Sequence, residues 1–300
     1  MKRLTTSLAV AAMLGATVAS ASPMYINLPS NSYDDGRRNG GLDPDTSTGI
    51  FEEFGYNQLF ATSIYDYSDN SVFGSFFDTN DPATLASYGI PASGTSLDGS
   101  KEVDLVLPDC PRGQCDIDAL SPLVPPLGSD NEGFLQTWDL QVEYTFFGDL
   151  SASGPSYHSG TFDVYFNDLD DDTNDRLVFS GELTGSVLSG ANLDLFFDIT
   201  FVVDDFLFIQ NENGVFFDAH DKLAAGGTPR LVLDTNVNPP IPTPDELLLV
   251  SAPNGDGAVV RQTTLDGSIT GTIPEPATLG LLGAGLLGIG FASTRRRKHA

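Results

Sequence analysis

The chain alternates apolar and polar residues over long stretches, as strands with one buried face do. Trp138, Leu140, Val142, Tyr144 and Phe146 share one face, with Asp139, Gln141, Glu143 and Thr145 on the other. The same period of two runs through Leu193, Leu195, Phe197, Ile199, Phe201 and Val203, against Asp194, Asp198, Thr200 and Asp204. Shorter copies occur at Phe162-Val164-Phe166, Leu177-Phe179 and Leu231-Leu233, and a threonine-rich strand is predicted from Val259 to Ile273. Turn clusters such as Gly154-Pro155-Ser156, Asn211-Glu212-Asn213-Gly214 and Gly226-Gly227-Thr228-Pro229 separate the runs. Helical periodicity is scarce, and Pro244 to Val250 is the best short candidate. Half-apolar strands must bury one face, which two sheets packed face to face achieve. The predicted fold is therefore mostly β, an antiparallel β-sandwich or jelly roll.

The first residues have the layout of an export signal. Lys2 and Arg3 precede an apolar core from Leu8 to Ala19, and Ala19-Ser20-Ala21 forms an A-x-A cleavage site. Residues 1–21 are thus expected to be a signal peptide. Residues 22–49, polar and glycine-rich, are expected to be a flexible segment. Residues 50–272 should form the β domain, with an irregular insertion near 78–133 and a stiff connector at Asn238-Pro239-Pro240-Ile241-Pro242-Thr243-Pro244.

Charge narrows the possible partners. The 300 residues carry a net charge of −27, and of the 41 acidic side chains only Glu275 lies in a terminal segment. Six of the 14 basic ones (Lys2, Arg3, Arg295, Arg296, Arg297 and Lys298) do, which leaves 40 acidic against 8 basic in the body. Such a surface repels nucleic acid and attracts cations, so DNA or RNA binding is excluded. The two cysteines stand close together as Cys110-Pro111-Arg112-Gly113-Gln114-Cys115. Inside a cell this spacing is compatible with a metal or redox pair; after export a local disulfide is the better reading.

The densest acidic cluster is Asn167-Asp168-Leu169-Asp170-Asp171-Asp172-Thr173-Asn174-Asp175. Asp168, Asp170 and Asp172 have the 1, 3, 5 spacing by which oxygen ligands converge on calcium. An EF-hand, however, wants Gly at position 6 and Glu at position 12, where Thr173 and Phe179 stand. A solvated hairpin tip explains the same letters. Asp66-Tyr67-Ser68-Asp69-Asn70, with Asp78, Asn80 and Asp81, is a weaker candidate of the same kind, and Asp204-Asp205 and Asp218 to Asp221 are weaker still.

Catalytic patterns are absent: no G-x-S-x-G, no H-E-x-x-H, and only His158 and His220 between the terminal segments. A carboxylate pair would suit a glycan hydrolase, but its spacing in space is not written in the sequence. Tyr25, Tyr33, Tyr56, Tyr65, Tyr67 and Tyr157 lie outside the best strands and are candidates for stacking on sugars or for core packing.

The last segment reads IPEPATLGLLGAGLLGIGFASTRRRKHA. Its uncharged run from Ala277 to Ala292 would span about 24 Å as a helix, short of the ~30 Å apolar core of a bilayer. The Arg295-Arg296-Arg297-Lys298 block would hold the far end on the cytoplasmic side. Pro274-Glu275-Pro276, the glycine- and leucine-rich span and the basic block together resemble the PEP-CTERM sorting signal of Gram-negative bacteria, with Ile273 in place of the usual Val. The resemblance covers residues 273–300. It implies transient insertion in the inner membrane by a transmembrane sorting helix, processing by an exosortase, and delivery to the cell surface or extracellular matrix. The body is more diffusely similar to flocculation-associated PEP-CTERM proteins, through its Trp-containing strand and Gly160-Thr161-Phe162-Asp163-Val164-Tyr165-Phe166. The expected function is a non-enzymatic surface or matrix protein that supports biofilm or floc formation with exopolysaccharide, with Ca2+ as a candidate bridging ion. The alternatives are a secreted glycan hydrolase or lyase and a calcium-stabilised carbohydrate-binding module.

Overall fold

In the computed structural model, which describes residues 21–33, 46–90, 93–95, 102–104, 120–123, 133–134, 137–211, 213–236 and 250–272, the alternating runs form long antiparallel strands. β1 (Met24–Ile26) and β2 (Glu53–Tyr65) lead into β3 (Gly74–Thr79) and the short helix α1 (Pro82–Ser87). The region near 78–133 adds β4 (Ser93–Thr95), β5 (Glu102–Asp104) and β6 (Leu120–Leu123). The longest strands follow in succession: β7 (Trp138–Ser151), β8 (Gly154–Asp168), β9 (Arg176–Ser189) and β10 (Asn192–Val202). Then come β11 (Leu207–Gln210), β12 (Phe216–Asp218), helix α2 (Ala219–Ala224), β13 (Arg230–Asn236), β14 (Val250–Ser251) and β15 (Val259–Thr272).

Ten strands make one sheet in the order β14-β15-β13-β10-β9-β8-β7-β3-β2-β6. β15 also pairs with β2, from Val259 opposite Tyr65 to Thr270 opposite Glu53. The sheet therefore curls into a half-barrel whose first and last long strands are stitched together. This corrects the expected arrangement. The fold is mostly β and antiparallel, but the large sheet closes on its own concave face, where a sandwich would need a second large sheet. Successive strands β7 to β10 also lie side by side, whereas a jelly roll sends its strands across. Short connections explain the meander. Only two residues separate β7 from β8 and β9 from β10, and such loops oblige strands to be neighbours.

One glycine is required by close approach. Gly160 has φ of +151°, and a Cβ there would fall 2.3 Å from the Thr145 carbonyl oxygen on the neighbouring strand. The β7–β8 register slips by one residue close by, between Phe147 and Gly148.

The concave side is packed with rings. Phe162 meets Phe197 edge-on at 5.2 Å and Phe179 at 6.0 Å, and Phe146 lies 5.3 Å from Phe197. Each buried ring contributes about 1.5–3 kcal/mol relative to exposure. A three-stranded sheet, β1-β11-β12, buries Met24, Ile26, Leu207 and Ile209 in this same core. Residues 22–49 were expected to be flexible, yet Met24, Ile26 and Leu28 are buried, and β1 pairs with β11 in register. Three alternating apolar residues are enough to seat a strand when a sheet edge is waiting for it. A smaller core joins Ile64, Leu85, Ile90, Ala252 and Val260 around α1.

Among the described residues no helix is long and apolar enough to cross a membrane. The expected signal peptide apart from Ala21, the Cys110–Cys115 pair, the connector and the sorting segment with Pro274, Glu275, Pro276, Arg295, Arg296, Arg297 and Lys298 lie outside the described residues. So does the helix candidate, apart from Val250, which opens β14.

Candidate functional site

The acidic tip between β8 and β9 is organised around one side chain. Asp168 Oδ1 accepts from the backbone N–H groups of Asp170 (2.9 Å) and Asp171 (3.1 Å). Its Oδ2 accepts from the Tyr33 hydroxyl (3.0 Å) and the Asn174 amide (2.8 Å). Each carboxylate oxygen of Asp168 thus accepts two hydrogen bonds from the protein. Asp170 is exposed, and Asp172 opens a 3-10 turn that runs to Asn174. Burial pushes the Asp168 carboxyl up, but donation from Asn174, Asp170, Tyr33 and Asp171 outweighs it, and the group sits below the usual carboxylate range. Burial, followed by the hydrogen bond to Asp168, pushes the Tyr33 phenol up to about 12. The tip is a clasp: it ties the segment after β1 to the β8–β9 turn.

Asp168→Ala would strand those donors, at a cost of about 1–3 kcal/mol, to be read from urea unfolding at pH 7. The sign with pH follows from the depressed folded-state pKa. The wild-type carboxylate contributes stability above its unfolded pKa, and that contribution is lost as pH falls through the lower folded pKa. The gap between wild type and Asp168→Ala should therefore narrow in acid. A constant gap from pH 7 down to pH 2 would contradict the clasp.

The weaker acidic stretch near Asp66 resolves into local turn and cap chemistry. Asp66 accepts from Ser68 N–H and Asp69 from Ser71 N–H. Asp81 caps α1 by accepting from Thr84 N–H at 2.7 Å. Asn80 clamps the β7 backbone, donating to the Val142 carbonyl and accepting from Tyr144 N–H. Asp78 instead enters the concave side, where it accepts from the Tyr157 hydroxyl, with Ser63 opposite it on β2 and Arg261 nearby on β15. Burial pushes the Asp78 carboxyl up against the opposing pull of Ser63, Tyr157 and Arg261. Burial and then Asp78 push Tyr65 up to about 12. Phe76 stacks on Tyr65 at 5.4 Å and meets Tyr157 edge-on at 5.1 Å. These groups brace the junction of β2, β3, β8 and β15.

The tyrosines separate accordingly. Tyr56, Tyr65 and Tyr157 are buried in the core, Tyr33 and Tyr67 pack at its margin, and Tyr25 stands on the outward face of the three-stranded sheet. There Tyr25 stacks on Phe208 at 4.5 Å with planes 4° apart, and Phe216 meets it edge-on at 5.0 Å. Burial, then the carboxylates of Asp205 and Asp218, raise the Tyr25 phenol. A ring cluster rimmed by carboxylates offers apolar ring faces and edges, together with acceptors for hydroxyl donors. Sequence reading named Tyr25 but missed Phe208 and Phe216, because β11 and β12 are too short to show a period.

The sorting segment is decided by sequence rather than geometry. Residues 272–297 match the family model of the PEP-CTERM protein-sorting motif. The chain carries that motif. A PEP-CTERM segment implies export and processing at the membrane by an exosortase. It follows directly on β15, which ends at Thr272. No curated protein and no solved structure matches the chain.

Proposed function

We propose that the chain is a non-enzymatic cell-surface or matrix protein that supports exopolysaccharide-dependent aggregation, as in biofilms or flocs, of a Gram-negative bacterium. The observation that carries this reading is the PEP-CTERM motif at residues 272–297, fused to an acidic β body. The motif brings the body outside the cell, and the body's excess of carboxylates suits it to Ca2+ bridging toward acidic polysaccharide. A strain lacking the protein should aggregate poorly and recover with the wild-type chain. Normal floc formation and normal matrix retention in the deletion strain would sink the reading.

A second reading, a carbohydrate-binding module, is favoured by the outward aromatic group Tyr25, Phe208 and Phe216. It is separated from the first by pull-down on the host's own matrix polysaccharide. Tyr25→Ala with Phe208→Ala should lower retention if this face meets sugar. Unchanged retention, with a folded circular-dichroism spectrum, would remove it.

A further inference from the structure

Asp204, at the exit of β10, and His220 and Asp221, in the first turn of α2, are brought together across 16 residues of chain. His220 Nδ1 lies 3.4 Å from Asp204 Oδ1 and 3.8 Å from Asp221 Oδ1. The three donor atoms all fall within 4.8 Å of one another. Asp204 and Asp221 are 76% and 80% exposed, and the imidazole is 44% exposed. Its Nδ1, by contrast, is shut off from solvent and has no hydrogen-bond partner. Two exposed carboxylates alone would be ordinary acidic surface. A solvent-excluded ring nitrogen held between them is not ordinary, because a buried polar atom without a partner is costly.

Apart from the two carboxylates, neighbouring groups do not engage that atom. Asp218 is committed elsewhere: one oxygen accepts from His220 N–H and the other from Asp205 N–H, both at 2.8 Å. The Lys222 ammonium stands over the Phe217 ring.

We propose that Asp204, His220 and Asp221 form a site for a divalent transition ion of the zinc class. The donor set selects the class. Calcium and magnesium take oxygen ligands, whereas an imidazole nitrogen joined to carboxylates suits zinc and its neighbours. Donors about 2.1 Å from a tetrahedral zinc stand about 3.4 Å from each other, which is the spacing of His220 Nδ1 and Asp204 Oδ1. Asp221 closes in by a small side-chain rotation. The exposed side leaves a position open for water or for a group from outside the chain. This site is distinct from the calcium-type spacing at Asp168, Asp170 and Asp172, and it does not depend on the aggregation role.

The test titrates the purified full chain with Zn2+ at neutral pH, in millimolar Ca2+ that saturates the weak carboxylate sites. Histidine-ring nitrogen NMR follows each imidazole, and calorimetry gives the affinity. One equivalent of Zn2+ should move the His220 ring alone, while His158, 3.7 Å from Asp149, serves as the exposed internal control. Asp204→Asn and His220→Ala should each weaken binding by at least the roughly 10-fold that even an outer-shell change brings. Both variants should keep the melting temperature of the metal-free wild type. If His220→Ala unfolds the chain, Asp204→Asn decides. Equal Zn2+ affinity in the variants, equal movement of His158, or displacement of Zn2+ by the excess Ca2+ would each overturn the site.

Discussion

Trp138→Ala should remove about 3–5 kcal/mol of stability, the cost of emptying a large aromatic site in a packed core. Trp138 is 0% exposed at the start of β7. Its indole stacks on Phe166 at 5.6 Å with planes 15° apart, and Phe134 meets it edge-on at 5.0 Å. Phe166 in turn touches Tyr33, and Trp138 pairs in register with Asp168. The truncation therefore empties the point where β7, β8 and the Tyr33–Asp168 clasp converge. Domain stabilities run to about 5–15 kcal/mol, so the loss is a large share of the whole. As Trp138 is the one tryptophan in the chain, the variant is followed by circular dichroism in urea, and the wild type by fluorescence as well. Phe147→Ala, on the outward face of the same strand and 45% exposed, should cost within about 0.5 kcal/mol. Similar losses at the two positions would contradict the assignment of the inner face.

The second large effect is expected in the cell. Replacing Pro274, Glu275 and Pro276 with alanine keeps the apolar run and the basic block but removes the processing signal. The chain should then accumulate, uncleaved, in the inner-membrane fraction and disappear from the surface. Neutralising Arg295, Arg296, Arg297 and Lys298 removes what holds the far end of the segment on the cytoplasmic side, and should lower processing by misplacing an intact triplet. Both changes lie beyond β15, so the β body should unfold in urea at the wild-type midpoint. Surface display at wild-type level in the triplet variant would contradict the role of the motif.

Much of the sheet is legible in the sequence because long strands alternate cleanly. Every apolar position named from Trp138 to Phe146 is buried, and the threonine-rich strand expected from Val259 is present as β15, described as far as Thr272. The closure is not legible. Residues of β2 and β15 that pair lie some 200 positions apart, and no local pattern selects the partner. Alternation also misleads at Asp139 and Gln141, polar positions that read as solvated yet are 2% and 0% exposed. At Asp139 the Asn167 amide donates to the carboxylate, a cross-strand pair that only the register reveals.

Candidate sites follow the same division. Spacing singles out Asp168, Asp170 and Asp172, whereas the phenol that engages Asp168 comes from Tyr33, 135 residues earlier, and only the fold shows it. His220 and Asp204 meet only in the fold, because Asp204 lies in the turn after β10 and His220 in α2. The PEP-CTERM segment was readable for the opposite reason. Its triplet, apolar span and basic block are contiguous and need no fold to assemble them.

The central claim is that the β body is delivered by a removable PEP-CTERM segment. Intact-mass measurement of the protein recovered from the cell surface and matrix tests it most directly. The expected mature chain has its C-terminus near Pro274-Glu275-Pro276 and lacks the apolar run and the arginines. A recovered chain that still carries Arg295, Arg296 and Arg297 would contradict the account.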